Sequence, residues 1–575
     1  MSQVAKHRLS PAPLPPSKRQ CGVQLSSEQR IITTFDNALY DELVLFIFSF
    51  LDSRDLCAIQ ATSRNCSRLA NDDQLWKALF VREFGKARLR GGKGFYGRAD
   101  GRLVKPLPSR IPAPAGESLN WKWMYRISSN WRNGRCAVQK LDDAEVVLGP
   151  QSRVPALHER TSPPGSHVLL AGSLTISASS AASQQPTILL RNRNDLLLSM
   201  TCRSHITSEP IEISTIAIDQ SSPASNRLSQ AFLRFAAFLS TGEFVVYEHD
   251  PSLSSSSTTS PRLAFIPSSR HRSVVTHAAY HHPLLVTLSH SFTLMVYDLS
   301  GDTITHTQSL SSFTSHPPTS LILSAVPSSS SYRLVLAYAI PVYPAHWSVG
   351  TTELIISPSG STTLTPDNHL NVATPRGKFV VRSTRSARAF DVPQGWIDET
   401  KLQAMRAQWG RKVKQVADTQ TDGKWVVLAP GDAPDSSSSS SSRGSLSDER
   451  SSNTLPASSS TSYVSPSSHS SAHLQLYRLH MPPPTSSHAP KLTFVRTLHG
   501  PLGHVSALSL ADGRCVSLGV NGSIWVWDLE GGDGAEVAGP VELCERGSGR
   551  GTVAFDERRI VSSGIRGIEE RRFDI

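Results

Sequence analysis

From about residue 135 onward the chain repeats one unit: an apolar strand-like run, a tight polar turn, then a second run ending in an aromatic or branched residue and often an acid. Leu233 to Glu248 does this, turning at Ser240-Thr241-Gly242 and ending Val245-Val246-Tyr247-Glu248. Val275 to Asp298 repeats it and ends Met295-Val296-Tyr297-Asp298. Looser copies end near Ile356, Asp391 and Tyr477. The clearest runs from Gly503-His504-Val505 through Leu518 and Asn521-Gly522 to Ile524-Trp525-Val526-Trp527-Asp528. A last copy runs from Gly551 to Phe573-Asp574. Endings spaced roughly 40 to 60 residues apart are the mark of a propeller whose blades carry loop insertions. A sandwich of regular hairpins is the plainer alternative. The pattern predicts seven or eight blades across 135–575.

The last copy stops at what corresponds to the third strand of a blade. An open sheet edge needs a partner. The unassigned strand is Cys136 to Leu141, which is expected to pair with the C-terminal blade and close the ring.

Ahead of the repeats the texture is helical. Asp41 to Leu51 places Leu43, Phe46, Ile47 and Phe50 at helical spacing. Asp52 or Ser53 can cap a second helix with Leu56 and Ile59, and Asp72 another with Leu75, Trp76, Leu79, Phe80 and Phe84. Gly85 stands at a helix stop. Residues 1–33 read as a disordered tail, 34–85 as a small all-α domain, 86–118 as a basic Gly/Pro-rich linker, and 119–134 as a connecting helix around Trp121-Lys122-Trp123. Asp435 to Ser471 is nearly all Ser with Pro, Gly and charge, and reads as a disordered insertion in the propeller. Ser-Pro pairs such as Ser465-Pro466 make such loops candidates for phosphorylation.

The 575 residues carry a formal charge of +11. Between Gly85 and Lys140 thirteen Lys or Arg face only Asp100 and Glu117. Such a stretch can bind nucleic acid or acidic lipid, but a solvated linker is the favoured reading. Seven scattered cysteines with no Cys-x-x-Cys pair suit a reducing compartment. Lys6, Arg8 and prolines stand where a signal peptide needs an apolar run. The longest apolar run, Val44 to Leu51, is far below the ~20 residues of a membrane helix. These features predict an intracellular protein, cytoplasmic or nuclear, without membrane attachment. There is no His-Glu-x-x-His, no Gly-x-Ser-x-Gly, and Gly91-Gly92-Lys93-Gly94 lacks P-loop spacing. No catalytic residue, metal or cofactor is expected.

In order, Leu39-Tyr40-Asp41-Glu42-Leu43, Ile47-Phe48-Ser49-Phe50-Leu51-Asp52, Asp55-Leu56, Ser63-Arg64, Arg68-Leu69-Ala70-Asn71-Asp72 and Leu75-Trp76-Lys77 resemble the F-box family along its full length. Tyr40 stands where the family usually has proline and Cys66 where it often has tryptophan. The resemblance implies docking on a Skp-type adaptor and, through it, on a cullin–RING ligase. A domain this short cannot bury all its apolar surface. Leu39, Leu43, Ile47, Leu51, Leu56, Leu75 and Trp76 are the candidate adaptor-binding residues, offered as a helix to a groove.

The segment from Gly503 to Asp528 resembles a WD repeat. In that family a His, a Ser or Thr, a turn acid and a Trp form a hydrogen-bonded lock. By position these are His504, Ser517, Asn521 and Trp527, with Asp528 closing the strand. Asn521 replaces the acid, so a charged bond is lost. The combined resemblance implies the substrate-recognition subunit of an SCF-type ubiquitin ligase. Its propeller would bind a target protein, phosphorylated targets included. The alternative is a WD-repeat-like scaffold whose F-box does not engage a cullin.

Overall fold

The computed structural model describes residues 38–85, 120–141, 165–192, 195–221, 233–249, 261–268, 272–311, 316–326, 329–342, 346–358, 379–390, 395–431, 473–483, 486, 488–500, 503–541 and 551–575. The expected tail 1–33, linker 86–118 and insertion 435–471 lie outside the described residues. The chain divides into two compact units, Met1–Ala78 and Leu79–Ile575.

The first unit holds helices α1 (Asp41–Phe48), α2 (Ser53–Gln60) and α3 (Arg64–Ala70), and most of α4 (Asp73–Phe80). Short side chains start three of them. Asp52 accepts from the Arg54 and Asp55 amides at 2.8 and 2.9 Å. Ser63 Oγ accepts from Cys66 at 3.0 Å, and Asp72 from Gln74 at 2.8 Å. Each bond satisfies an amide that the helix itself leaves unpaired. Val44, Phe48, Leu56, Cys66, Leu69 and Trp76 are buried. The Trp76 indole N–H donates to the Ala70 carbonyl at 2.8 Å, tying α4 to the end of α3.

The second unit is a seven-bladed propeller. Among the described residues its strands form seven four-stranded antiparallel sheets. Six are built from consecutive strands, within 166–201, 213–265, 275–311, 316–388, 416–498 and 505–538. The first strand of each blade touches the first strand of both neighbours, which closes the ring. The seventh blade takes three strands from 552–572 and its fourth from Ala137–Lys140. That strand pairs antiparallel with Gly567–Arg572, Ala137 opposite Arg572 and Lys140 opposite Glu569. This is the partner expected from the sequence.

Core strands are apolar on both faces because each blade is covered by two neighbours. Leu284–Ser289 and Arg514–Gly519 are buried throughout, whereas the outer strand Thr305–Ser311 has no buried residue. An apolar cluster fills each gap between blades. Ile188 and Leu190 meet Phe235 and Tyr247 between the first two, and Val516 and Val526 meet Phe555 and Ile560 between the last two. The gap that closes the ring is the leanest, with Leu141, Val168, Leu170, Val561 and Ile568.

Two blade assignments differ from the sequence reading. The first blade, 166–201, had no recognised copy, since its third strand Thr187–Asn192 ends in Arg-Asn rather than an aromatic and an acid. Asp391, near which a copy was expected to end, lies outside the described residues, and the strand before it belongs to a blade already begun. Ile356 already lies in the third strand of the fourth blade (His346–Pro358), and Phe379–Arg388 is that blade's fourth.

Helix α5 (Trp121–Arg132) braces the closing blade. Asn120 caps it, accepting from Trp123 at 2.9 Å. Trp131 stacks on Phe573 with ring centroids 3.9 Å apart. Its N–H donates to the Glu557 carbonyl at 2.9 Å, and Asn130 donates to that of Phe573 at 2.8 Å. Gly134 follows with φ +65°, where a Cβ would lie 2.2 Å from the Glu536 carbonyl, so only glycine fits. Phe80 and Phe84 pack on Trp121 and Tyr125, and the Tyr125 hydroxyl donates to Glu83 at 2.7 Å.

Trp131→Ala should therefore destabilise the propeller by about 3–5 kcal/mol, the range for a buried Trp. Arg132→Ala, whose side chain is half exposed, should stay within about 0.5 kcal/mol. Denaturant unfolding of the two variants checks this. Deleting 566–575 should abolish the cooperative melt altogether.

Candidate docking surface and the two ends of the propeller

Helix α1 carries apolar residues on both sides. Val44 and Phe48, four apart, face inward and are buried. Leu43, Phe46, Ile47 and Phe50 follow i, i+3, i+4, i+7 spacing on the other side, with exposures of 49, 63, 40 and 71%. Tyr40, at the helix N-cap, is 80% exposed and extends the ridge. Leu39 and Leu51 are half-buried at its ends. Phe46 and Phe50 meet edge-to-face at 5.0 Å. A helix apolar all round is normally a buried one, and covering each such side chain returns about 1.5–3 kcal/mol. Asp41 and Glu42 occupy the first turn, where the helix dipole favours acids. Arg68 reaches Asp41 at 2.6 Å, but both are well exposed and the pair contributes little.

In the propeller, strands alternate in direction. The turn between second and third strands and the link from a fourth strand to the next blade therefore share one end of the ring; the other turns share the opposite end. Helix α5 precedes the fourth strand of the closing blade, so it lies at the second end. Helix α6 (Glu399–Gly410) links the fourth and fifth blades at the first end, where the sixth blade's turn 520–523 also lies. A cleft of about 200 Å³ beside α5 is lined by Trp131, Ser128 and Arg514, but its charges balance: Arg82, Arg132 and Arg514 against Glu83, Asp528 and Asp533. Among the described residues no three His, Cys, Asp or Glu are grouped to hold a metal ion, and no helix is long and apolar enough to cross a membrane.

The F-box-like family model matches residues 41–82, the helices that carry the ridge. An F-box protein of Saccharomyces cerevisiae is 29% identical over 140 residues, 21% of this chain and 21% of that protein. A probable F-box protein of Arabidopsis thaliana is 35% identical over 63 residues, 10% of this chain and 52% of that protein. The chain carries an F-box-like domain at 41–82, followed by a seven-bladed propeller. It spans about a fifth and about half of the lengths of these relatives. Among solved structures, the Cps50 (Swd1) β-propeller domain of Myceliophteria thermophila is similar at 9% identity and TM-score 0.35, covering 72% of this chain and 97% of that one. The WD40 propeller of Doa1 is similar at 10% identity and TM-score 0.33, covering 72% and 94%. The blade topology described above, not these similarities, defines the fold.

The F-box residues divide differently from the sequence reading. Leu43 and Ile47 are on the ridge. Leu56, Leu75 and Trp76 are buried and are corrected to core positions: Leu56 faces into α2's packing, and the Trp76 ring and N–H are both engaged. Phe46, Phe50 and Tyr40 join the exposed set instead. Their signal was present in the helical stripe itself, whose phase leaves 43, 46, 47 and 50 together. Cys66 is buried in place of the family's tryptophan.

The WD-type lock also differs. Trp527 donates to the His499 carbonyl at 3.4 Å rather than to Ser517, which is buried in its strand. Asn521 accepts from Ser523 at 3.1 Å within its own turn, and the His504 carbonyl accepts from Val520 at 2.8 Å. Asp528 accepts from Glu530 at 3.0 Å, ordering the next turn. Charged locks occur one blade earlier. Asp422, fully buried, accepts from the amides of Lys424 and Trp425 at 2.9 and 2.7 Å, and from Gly513 of the next blade at 3.0 Å. Asp418 accepts from Leu508 at 2.8 Å. Burial, with these two acids beside it, pushes the Cys515 thiol well up. Asp219 likewise crosses to the His282 amide at 2.9 Å. Asp-Gly before the apolar run Trp425–Pro430 was the available cue.

Asp422→Ala would strand three buried amides and should cost about 3 kcal/mol or more. Ser517→Ala should cost about 1 kcal/mol or less. Comparative thermal melts decide between these two positions as the lock.

Proposed function

We propose that the chain is the substrate-recognition subunit of an SCF-type ubiquitin ligase. The F-box docks on a Skp-type adaptor, and the propeller holds the target protein. An F-box followed by a propeller fits such a receptor in general. The observation that carries the finer reading is α1, apolar on both sides with one side bare. A helix laid into a partner groove through i, i+3, i+4 and i+7 anchors is a recurrent recognition mode. The anchors are Leu43, Phe46, Ile47 and Phe50, flanked by Tyr40. Ligase chemistry belongs to the charged E2 enzyme, and this chain contributes proximity. Its place is then intracellular, where adaptor and cullin are.

The departures at Tyr40 and Cys66 support a second reading, a scaffold whose F-box binds the adaptor weakly or without a cullin. Tyr40 starts α1 with no side-chain cap bond.

Leu43→Asp and Ile47→Asp should each weaken adaptor binding by at least about 100-fold, since each places a charge in an apolar contact. The propeller melt should be unchanged. Co-purification with the adaptor and cullin tests both readings. Wild-type adaptor binding by both variants refutes the ridge, while adaptor without cullin favours the scaffold.

A further inference from the structure

Helix α6 is twelve residues long and has no buried residue. Helices this short are marginal in water without a packed face. Leu402 and Met405 are half-covered, and Trp409 meets Phe390 at 5.7 Å, so its apolar stripe leans on the propeller. Just ahead of the helix, however, Trp396 is 86% and Ile397 43% exposed.

The charge around these residues is one-sided. Residues 395–414 hold five cations, Lys401, Arg406, Arg411, Lys412 and Lys414, against Asp398 and Glu399. Asp398 is engaged as the N-cap, accepting from the Lys401 amide and the Thr400 hydroxyl, each at 2.7 Å. None of the five cations pairs with a carboxylate among the described residues. Lys401 Nζ donates to the Trp396 backbone carbonyl at 2.8 Å, which ties the ammonium to the segment that carries the exposed indole. Lys412 lies 3.7 Å over the Trp409 ring and Arg411 4.5 Å over Phe494. Phe494 is on the outermost strand of the fifth blade, so α6 ends at the rim of the ring rather than at its channel. Arg388, exposed at the end of the neighbouring strand, adds a sixth cation.

We infer that this rim face docks an acidic protein segment bearing a bulky apolar side chain. Its carboxylates meet Lys401, Arg406 and Lys414, and its apolar group covers Trp396 and Ile397. Complementary charge selects such a partner, and apolar cover of an exposed Trp anchors it. A nucleic acid is the poorer fit, because Lys412 occupies one Trp409 face and Ile397 offers nothing for a base to stack on. A membrane is poorer too, because the apolar stripe of α6 leans on the propeller and its outer face is polar. That the docked segment belongs to a ligase target rests on the receptor reading above; the docking itself does not.

The test uses the full chain and a labelled synthetic peptide alternating Glu/Asp pairs with Leu and Phe, followed by fluorescence anisotropy. The peptide should bind, and replacing its acids by amides or its apolar residues by Ser should each weaken binding by about tenfold. Trp396→Ser should do the same, and a Lys401→Glu, Arg406→Glu, Lys414→Glu variant should abolish binding. These side chains are exposed, and circular dichroism checks that the fold is intact. Equal binding by the variants, no binding by the wild type, or tighter α6-dependent binding to single-stranded RNA or to phosphatidylserine vesicles would overturn the inference. Adaptor co-purification, measured in parallel, should be untouched by the α6 changes. Its failure in the wild type would sink the receptor reading and leave the docking result standing.

Discussion

The pairing of Ala137–Lys140 with Gly567–Arg572 is the contact on which the second unit depends. Among the described residues the propeller's apolar clusters lie between blades, so the two blades at the seam each keep a bare face until the ring closes. Closure joins residues far apart in the chain; Asn130 and Phe573, which bond across it, are 443 positions apart. Bringing distant segments together costs entropy that grows slowly with separation. The stack of Trp131 on Phe573 helps to offset it, because α5 runs directly into the closing strand and delivers it in register.

Among the described residues the seam that completes the ring has the smallest apolar cluster, and it also holds buried charge. Arg559, buried, donates to the Gly172 and Leu174 carbonyls of the first blade at 3.0 and 3.2 Å and pairs with Asp556 at 3.0 Å. Arg571, also buried, holds Glu569 at 2.6 Å. Buried pairs are weak sources of net stability but costly to break singly. Those of Arg559 therefore fix how the seventh blade sits against the first more than they strengthen that contact. Asp418 and Asp422 do the same between the fifth and sixth blades, where an acid on one blade accepts amides from the next.

What could be read from the residues follows a physical line. Local rules were legible: Asp52 and Asp72 cap the helices they precede, and the strands ending Tyr247-Glu248, Tyr297-Asp298 and Trp527-Asp528 are third strands of blades. The pairing of Cys136 to Leu141 was legible because an open edge demands a partner. The first blade was not, because its third strand lacks the aromatic ending, and the fourth was split at Asp391 because its strands are unusually long. In the F-box, composition showed how much apolar surface exists but not which way it points. The phase of α1 groups its own ridge, but Leu56 and Trp76 are as apolar as Phe46 and Phe50, and only the assembled helices show that they are core. The lock acids were missed for a related reason: Asp422-Gly423 marks a turn locally, but the reach of Asp422 to Gly513 crosses a blade boundary that no local pattern reveals.

The two ends of the ring are consequently under different constraints. At one end α5 and the turns around Glu557 secure the closure, and Trp131, Asn130 and Gly134 have little freedom to change. At the other end the chain accepts additions without touching the seam. Helix α6 enters between the fourth and fifth blades, and the Ser-rich stretch 435–471 falls between the second and third strands of the fifth. Connections of this kind tolerate insertion and acquire binding roles because the scaffold beneath them is already fixed. A propeller locked by bonds from side chain to neighbouring backbone can thus keep its closure while its opposite rim diverges in charge and shape.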